Sequence, residues 1–593
     1  MSRLLCRIRK SIDCVRQVSV SHYATFTQRD FHYVDHSHSG TLLSRFTREI
    51  AMDINRDAKI VRNSIKYSQF YPVQNQEKYQ RDIQDVSSDQ LARLVMFTAN
   101  YRGNADISKI YWVINHLDSE ATQRIHQMEY RDVQELMFMF LYLLPNKVTE
   151  LDFLRSGIEK LIAAYTENET KENFLQISFY LGLFKKSQRY SNQLKTFLQS
   201  NLSKHLSDLN TLEFAIVANS AFKASVLITD QDFQQRLIQE ILSINKDVDI
   251  QLLVTFAKSL RHNRVNCTRI LDKVQELLER KSIPDIDLRS YVHLLALFVE
   301  NRQIPQTFGM HIMEKCMNII KAEHEKSLQL SKNEAYTNPN FRPKDLATFL
   351  WCATSLPDKT LTKDDINTVC NAMLWKLRNY EYKYAYDEFV DSLLSLVMLG
   401  GRSEALFKAF LTDRNFLIPP RDPNRTKILS RQRLLQTCLE IEVPRLVPKD
   451  KATGSRTPVN APKYLLDNRQ HFQSITQSLE ELRDEFKITK LELKVPVRDI
   501  NIPSFLIETQ EGTKRSFWIE ILDKQTTMAD LKSPTPIVRL KLRLLRNLEQ
   551  DFIVVNTINK EGEELKEILR QAIKEHLDYV DSESDAEIQE VVK

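Results

Sequence analysis

Four apolar segments recur along the chain at a fixed interval. FLQISFYLGLF begins at Phe174, LEFAIVANSAF at Leu212, IQLLVTFAKSL at Ile250 and LRSYVHLLALF at Leu288, each 38 residues after the last. Each is apolar at i, i+3, i+4 and i+7 and nearly so between, the pattern of a mostly buried helix. A more polar amphipathic stretch separates consecutive segments, as in SNQLKTFLQSNLSKHL and TRILDKVQELLERK. One helix pair per period predicts an α-solenoid, in which a pair buries its apolar face only by stacking on its neighbours. LARLVMFTANY at Leu91 and VQELMFMFLYL at Val133 extend the series upstream; LATFLWCATSL at Leu346 and FVDSLLSLVML at Phe389 extend it downstream. The long step from Leu288 to Leu346 is filled by the turn-rich insertion KAEHEKSLQLSKNEAYTNPNFRP. The expected repeat region is 87–412, about eight pairs, with a non-repetitive helical bundle as the alternative. Aromatic pairs such as Phe138 with Phe140 and Phe179 with Tyr180 are expected in its core.

Residues 413–463 are crowded with Pro419, Pro420, Pro423, Pro444, Pro448, Pro458 and Pro462, and read as a linker with a short helix at SRQRLLQTCLEI. The period then switches. After a helix at HFQSITQSLEELRDEFK, the β-branched and aromatic runs LELKVPV, SFLIETQ and SFWIEIL predict strands, the last two joined by a turn at Gln510–Thr513. Ser533 and Pro534 precede a further helix, followed by the strand FIVVN and the helix GEELKEILRQAIKEH. The order α-β-β-β-α-β-α marks 464–576 as a small mixed α/β domain, with 577–593 an acidic tail. The fold class is therefore mostly α, a solenoid of helix pairs closed by a C-terminal α/β domain.

Composition changes this picture little. Ten glycines in 593 residues disfavour a glycine-rich nucleotide fold and suit long helices. A net charge of +5 permits a nucleic-acid partner without demanding one. The seven scattered cysteines, with no C-x-x-C, read as reduced thiols in helices. No apolar run is long enough to span a bilayer.

The N-terminal thirty residues carry Arg3, Arg7, Arg9, Lys10 and Arg16 among Leu4, Leu5, Ile8 and Ile12, with Asp13 the only acid before Asp30. An amphipathic, Arg- and Ser-rich, acid-poor start predicts a mitochondrial targeting segment over 1–30, and hence the matrix. Residues 31–86 form an extension in which His32, His36 and His38 stand in a solvated loop, without the further ligands a metal site needs.

The chemistry concentrates in the α/β domain. Arg539, Arg543 and Arg546 fall at i, i+4 and i+7 on one side of a helix whose Ile537, Leu540, Leu544 and Leu548 line the other. Guanidiniums in a row do not neutralise one another and suit a phosphate backbone. Lys514 and Arg515 at the hairpin, and Lys541 in the helix, complete the candidate RNA-binding set. The run FWIEILD, a turn, SPTPIVRLKLRLLRNL and then DFIVVN resembles the RAP domain, whose helix carries a run like the Leu540, Lys541, Arg543, Leu544 and Leu545 of this chain. The usual E-x-D-G-P segment stands here as Glu520-Ile521-Leu522-Asp523-Lys524. That domain closes helical-repeat proteins of organelles, the FAST-kinase-like, octotricopeptide and heptatricopeptide repeat families. The resemblance implies a restriction-nuclease-like fold and a mitochondrial RNA-binding protein acting in RNA stabilisation, processing, translation or ribosome assembly, with no cofactor or metal. Two alternatives stand beside it: a structural subunit among mitochondrial ribosomal proteins or in another large mitochondrial complex, and a metal-dependent RNA endonuclease. The last would need Glu508, Glu520 and Asp523 to converge with Lys514 or Lys524, yet alternation along a strand sends Glu520 and Asp523 to opposite faces.

Overall fold

Helix pairs fill most of the computed structural model, which describes residues 65–101, 107–144, 147–184, 187–245, 249–280, 286–329, 341–356, 360–412, 425–448, 457–462, 465, 469, 471–510 and 515–591. The expected targeting segment, the three histidines near residue 35 and Lys514 lie outside these residues. The chain divides into two compact units, Met1–Leu297 with Glu325–Asn340, and Phe298–His324 with Phe341–Lys593. The division falls inside the repeat region rather than at the proline-rich stretch.

The four apolar segments become the helices Lys171–Gly182, Thr211–Lys223 and Ile250–His262 of the first unit and Leu288–Glu300, whose last residues from Phe298 belong to the second unit. The polar stretches become Gln188–His205, Gln231–Leu242 and Thr268–Glu279. Burial follows sequence pattern. Every residue from Phe174 to Gly182 is buried, whereas Gln231–Leu242 buries only Phe233, Leu237 and Ile241, one stripe at i, i+4 and i+8. First helices stack on first helices (Lys171–Gly182 on Thr211–Lys223, and that on Ile250–His262), and second helices on second helices (Gln231–Leu242 on Thr268–Glu279). A Cβ on Gly182 would stand 2.6 Å from Ser220 Cβ and 2.7 Å from its Cα. Glycine there lets two first helices touch through their backbones.

The period also appears where apolar pattern carries no information. Ser225, Arg264 and Arg302 close successive first helices in the left-handed conformation, with φ of 57, 55 and 56°. The amides of Val226, Val265 and Gln303 bond back to the carbonyls of Ala221, Leu260 and Phe298 at 2.8, 3.0 and 3.0 Å, the same C-terminal cap on three successive first helices. Second helices are tied together by cations. Arg124 donates to the carbonyls of Ile83 and Gln84 at 2.9 and 2.8 Å. Lys160 donates to Ile125 O at 2.8 Å, Arg236 to Leu209 O at 2.5 Å and Arg280 to Asn245 O at 3.0 Å. Each satisfies carbonyls left over at the end of the preceding second helix. Arg236 and Arg280 thus have partners within the protein, as do Lys204 on Glu169 and Lys273 on Glu276, although Lys204, like Lys195, is exposed.

The second unit repeats the pairing with Pro343–Thr354, Lys363–Arg378, Tyr386–Met398 and Glu404–Thr412. Inside the expected linker, Arg425–Glu442 is a full helix packed on Tyr386–Met398. Its Leu435 and Cys438 are wholly buried, and Arg431 pairs with Asp391, so this stretch extends the helical stack of the unit.

The α/β module has the expected order. Its sheet runs β1 (Val459–Asn460), β2 (Ile488–Val495), β3 (Ser504–Thr509), β4 (Arg515–Leu522), β5 (Phe552–Asn556), antiparallel except for the parallel pair β4–β5. The short edge strand β1 has no counterpart in the sequence reading. Helices His471–Glu481 and Gly562–Val591 cover one face through Phe472, Ile475, Leu479, Leu569 and Ile573 against Ile507, Ile519 and Ile521. The closing helix runs on to Val591 and takes in the acidic stretch read as a tail. The crossover helix Pro536–Asn547 covers the other face, where Val538 and Leu542 meet Leu522.

Candidate nucleic-acid interface

The helix Pro536–Asn547 begins with Pro536 at its first turn, where a missing amide proton is harmless, and carries apolar residues over most of its surface. Such a helix must be covered on more than one side. The sheet takes one side. The other lies against Tyr386–Met398 and Arg425–Glu442 of the same unit. The arginines sit on that second side.

Arg539 donates through Nη1 to Leu356 O at 2.9 Å and through Nη2 to Thr354 O, the carbonyls at the end of helix Pro343–Thr354. Arg543 donates through Nη1 to Met398 O at 3.0 Å and through Nη2 to Val397 O, the carbonyls at the end of helix Tyr386–Met398. Its Nε holds Glu442 Oε1 at 2.8 Å, a carboxylate whose side chain is only 5 % exposed. One helical turn between the arginines thus matches one step between neighbouring repeat helices. Arg302 makes a third such link, from the repeat side: its Nη1 donates to Lys524 O and Thr527 O at 2.9 and 3.0 Å, and its own carbonyl accepts from Ala529 N at 3.1 Å. Guanidinium forks suit this work because one side chain reaches several acceptors at once.

Two residues expected at phosphates are therefore engaged inside the protein. A third, Lys541, is corrected outright. It lies two residues from both Arg539 and Arg543, so at 100° per residue it projects to the opposite side of the helix. There it is fully buried, with Nζ 2.6 Å from Glu520 Oε2, 2.5 Å from Ser504 Oγ and 2.9 Å from Ile502 O. Burial pushes the Lys541 ammonium down from its ordinary value, and the adjacent Glu520 works against that shift. Arg515 on β4 is half-buried, its Nη1 3.3 Å from Leu577 O. Arg546 is the member of the set that faces outward, its guanidinium carbon 5.6 Å from the Phe552 ring centre.

The structure nevertheless brings Arg539, Arg543 and Arg546 to one place. They line a cleft of about 520 Å³ whose other walls are the ends of the two repeat helices, with Leu361, Ile366 and Leu399 among its apolar lining. Its volume is in the range of small-molecule sites, roughly 300–1,000 Å³.

The carboxylates considered for metal chemistry stand apart. Glu508 pairs with Lys490 at 3.2 Å. Glu520 is 2 % exposed, with Oε1 accepting from Ser504 Oγ at 2.7 Å and Oε2 bound by Lys541. Asp523 lies at the head of helix His471–Glu481, 3.5 Å from Arg469 and 3.2 Å from His471 Nε2, and its Oδ1 accepts from the amides of Gln525 and Thr526 at 2.8 and 2.9 Å. Burial works to raise Asp523, but His471, the Arg469 charge, Thr526 and the Gln525 amide outweigh it and hold the carboxyl down to about 2. Asp523 lies just past the end of β4 at Leu522, held at Arg469 and His471, whereas Glu520 is held by Lys541 and Ser504; Lys524 is exposed with its carbonyl held by Arg302.

Sequence reasoning missed the docking role of Arg302, Arg539 and Arg543. A signal existed: the helix has apolar residues on both sides of its arginine row, which a solvated cationic face does not need. No family model matches the chain, and no curated protein matches it.

Proposed function

We propose that the chain is a mitochondrial RNA-binding protein of the helical-repeat class, an α-solenoid closed by a RAP-like module, acting without chemistry of its own in RNA stabilisation, processing, translation or ribosome assembly. The observation that carries this reading is the repetition itself. Helix pairs recur with the same C-terminal cap on three successive first helices and cation ties between second helices, and an α/β module is seated on the ends of the last first-helices. Stacked pairs offer an extended surface, as a single-stranded polymer requires. Arg546 and the cleft beside it supply an accessible positive group for phosphate, joined by Arg515 and Lys514 as the remaining candidates. Among the described residues no helix is long and apolar enough to cross a membrane.

One observation favours a second reading. Arg539 and Arg543 spend hydrogen bonds on the protein's own carbonyls, which suits a structural subunit of the mitochondrial ribosome or another large mitochondrial complex. Ultraviolet crosslinking in mitochondria, followed by sequencing of bound RNA and sedimentation of the extract, tests both. Discrete RNA targets on a light, substoichiometric protein support the first reading. Near-stoichiometric co-migration with a ribosomal subunit supports the second, and absence of any crosslinked RNA contradicts the first.

A further inference from the structure

The sheet of the α/β module ends on two unlike edges. At one, β1 is only two residues long, too short to template a further strand. At the other, β5 presents the five residues FIVVN in unbroken register with β4, with no charge, proline or bulge among them. Those are the devices by which natural sheets blunt an open edge. Among the described residues no strand pairs with β5 on its far side.

The ladder shows which groups that side carries. Trp518 N donates to Asp551 O at 2.9 Å and Thr557 N to Leu522 O at 3.0 Å, so Ile553 and Val555 between them direct their amides and carbonyls to β4. The amides and carbonyls of Phe552, Val554 and Asn556 therefore point away from it. The Val554 residue is 42 % exposed. Leu531, whose carbonyl accepts from Asn556 Nδ2 at 2.8 Å, is 40 % exposed beside it. Outward backbone groups and uncovered apolar side chains thus coincide on one edge.

This edge complements itself. With a second copy laid antiparallel and Val554 opposite Val554, Phe552 falls opposite Asn556, and every outward amide meets an outward carbonyl in a hydrogen-bonded pair. The two valines form a β-branched cross-strand pair, and Asp551 falls opposite Thr557, so no like charges stand directly opposed along the strand. The contact is two-fold and closes on itself.

We propose that β5 is a homodimerisation edge, at which two copies pair their β5 strands antiparallel about Val554 and join two five-stranded sheets into one. The proposal stands apart from the RNA-binding reading.

Sedimentation equilibrium of the full, nuclease-treated chain tests it, from about 1 to about 200 µM, since so short an edge pair belongs to the weak class of interfaces. The wild type is expected to pass from monomer to dimer over this range. Val554→Lys and Val554→Glu each face their own charge across the two-fold, and each is expected to weaken dimerisation at least about ten-fold. An equimolar mixture of the two is expected to restore the dimer, because Lys then faces Glu. Val459→Lys, at an exposed position on the opposite edge, is expected to leave the wild-type equilibrium unchanged. Urea midpoints of the Val554 variants stay near the wild type, because the side chain is exposed. A wild type that stays monomeric throughout overturns the proposal and leaves the edge to a strand of another protein. A dimer that survives Val554→Lys, or that Val459→Lys breaks, overturns it as well. Variants that dissociate singly and fail to associate when mixed overturn the pairing about Val554.

Discussion

Arg543 Nη1 donates to the carbonyl oxygen of Met398 at 3.0 Å, across 145 residues of sequence. The bond joins the α/β module to the end of a repeat helix, and the Nε of the same side chain holds the buried Glu442. Removing the guanidinium strands two carbonyls and a carboxylate together. Arg543→Ala is therefore expected to destabilise the second unit by about 2–3 kcal/mol, with Arg543→Lys recovering only part because a point-like ammonium lacks the planar spread of donors with which the guanidinium reaches its acceptors. Arg546→Ala is expected to change stability by less than about 0.5 kcal/mol. Urea unfolding of the three variants decides; equal effects at both positions contradict the docking role.

Lys541 and Glu520 are a buried ion pair whose worth lies in being complete. Breaking it by Lys541→Met or Glu520→Leu alone is expected to cost about 3–5 kcal/mol, since either leaves a buried charge without its partner. The double variant is expected to recover much of that loss, because two apolar residues replace the pair. A strictly additive double-mutant cycle contradicts this.

The pH dependence near Asp523 has a definite sign. Its folded pKa is about 2, below the ordinary 3.8, so between these values the unfolded chain binds the proton and the folded chain does not. Its stabilisation is present above about pH 4 and is lost as pH falls toward 2. Asp523→Asn should flatten the stability profile of the second unit in that window. A wild-type slope retained in the variant shows that other carboxylates govern the acid limb.

Gly182 tests the stacking of the first unit. An added methyl meets the backbone of Ser220, so the neighbouring helix must move. Gly182→Ala is expected to cost about 1–3 kcal/mol despite alanine's better helix propensity. Gly562, with φ of +52° and no atom within 4 Å of an added Cβ, should lose only about 1 kcal/mol on the same change. Chemical denaturation separates the two; a stabilised Gly182→Ala contradicts the close approach.

The repeat was legible because apolar runs such as FLQISFYLGLF report burial directly, and the starts predicted at Ile250 and Leu288 are the helix starts found. The strands of the module were legible from period two, although β4 ends at Leu522, one residue short of Asp523. The use of Arg539 and Arg543 was not legible, because a cation that bonds a carbonyl over a hundred residues away looks like a cation that faces water. Lys541 was misplaced for a simpler reason. Proximity in sequence grouped it with the arginines, although helical geometry turns it to the other side. A helix was expected inside Arg425–Glu442, but its full length and its place in the helical stack were hidden by the prolines around it, whose breaking character says nothing of the residues between.

These assignments change how RNA binding is to be probed. Reversing Arg539, Arg543 and Arg546 together would disrupt the module's seat as well as any phosphate contact, so a loss of binding would not identify the site.

The most direct measurement is ultraviolet crosslinking of single-stranded RNA to the intact chain, with the attached peptides identified by mass spectrometry. Crosslinks are expected on the cleft walls, in peptides containing Arg546 and Met398–Leu399. Crosslinks confined to other parts of the chain, or none at RNA concentrations that saturate a basic control protein, would contradict the account.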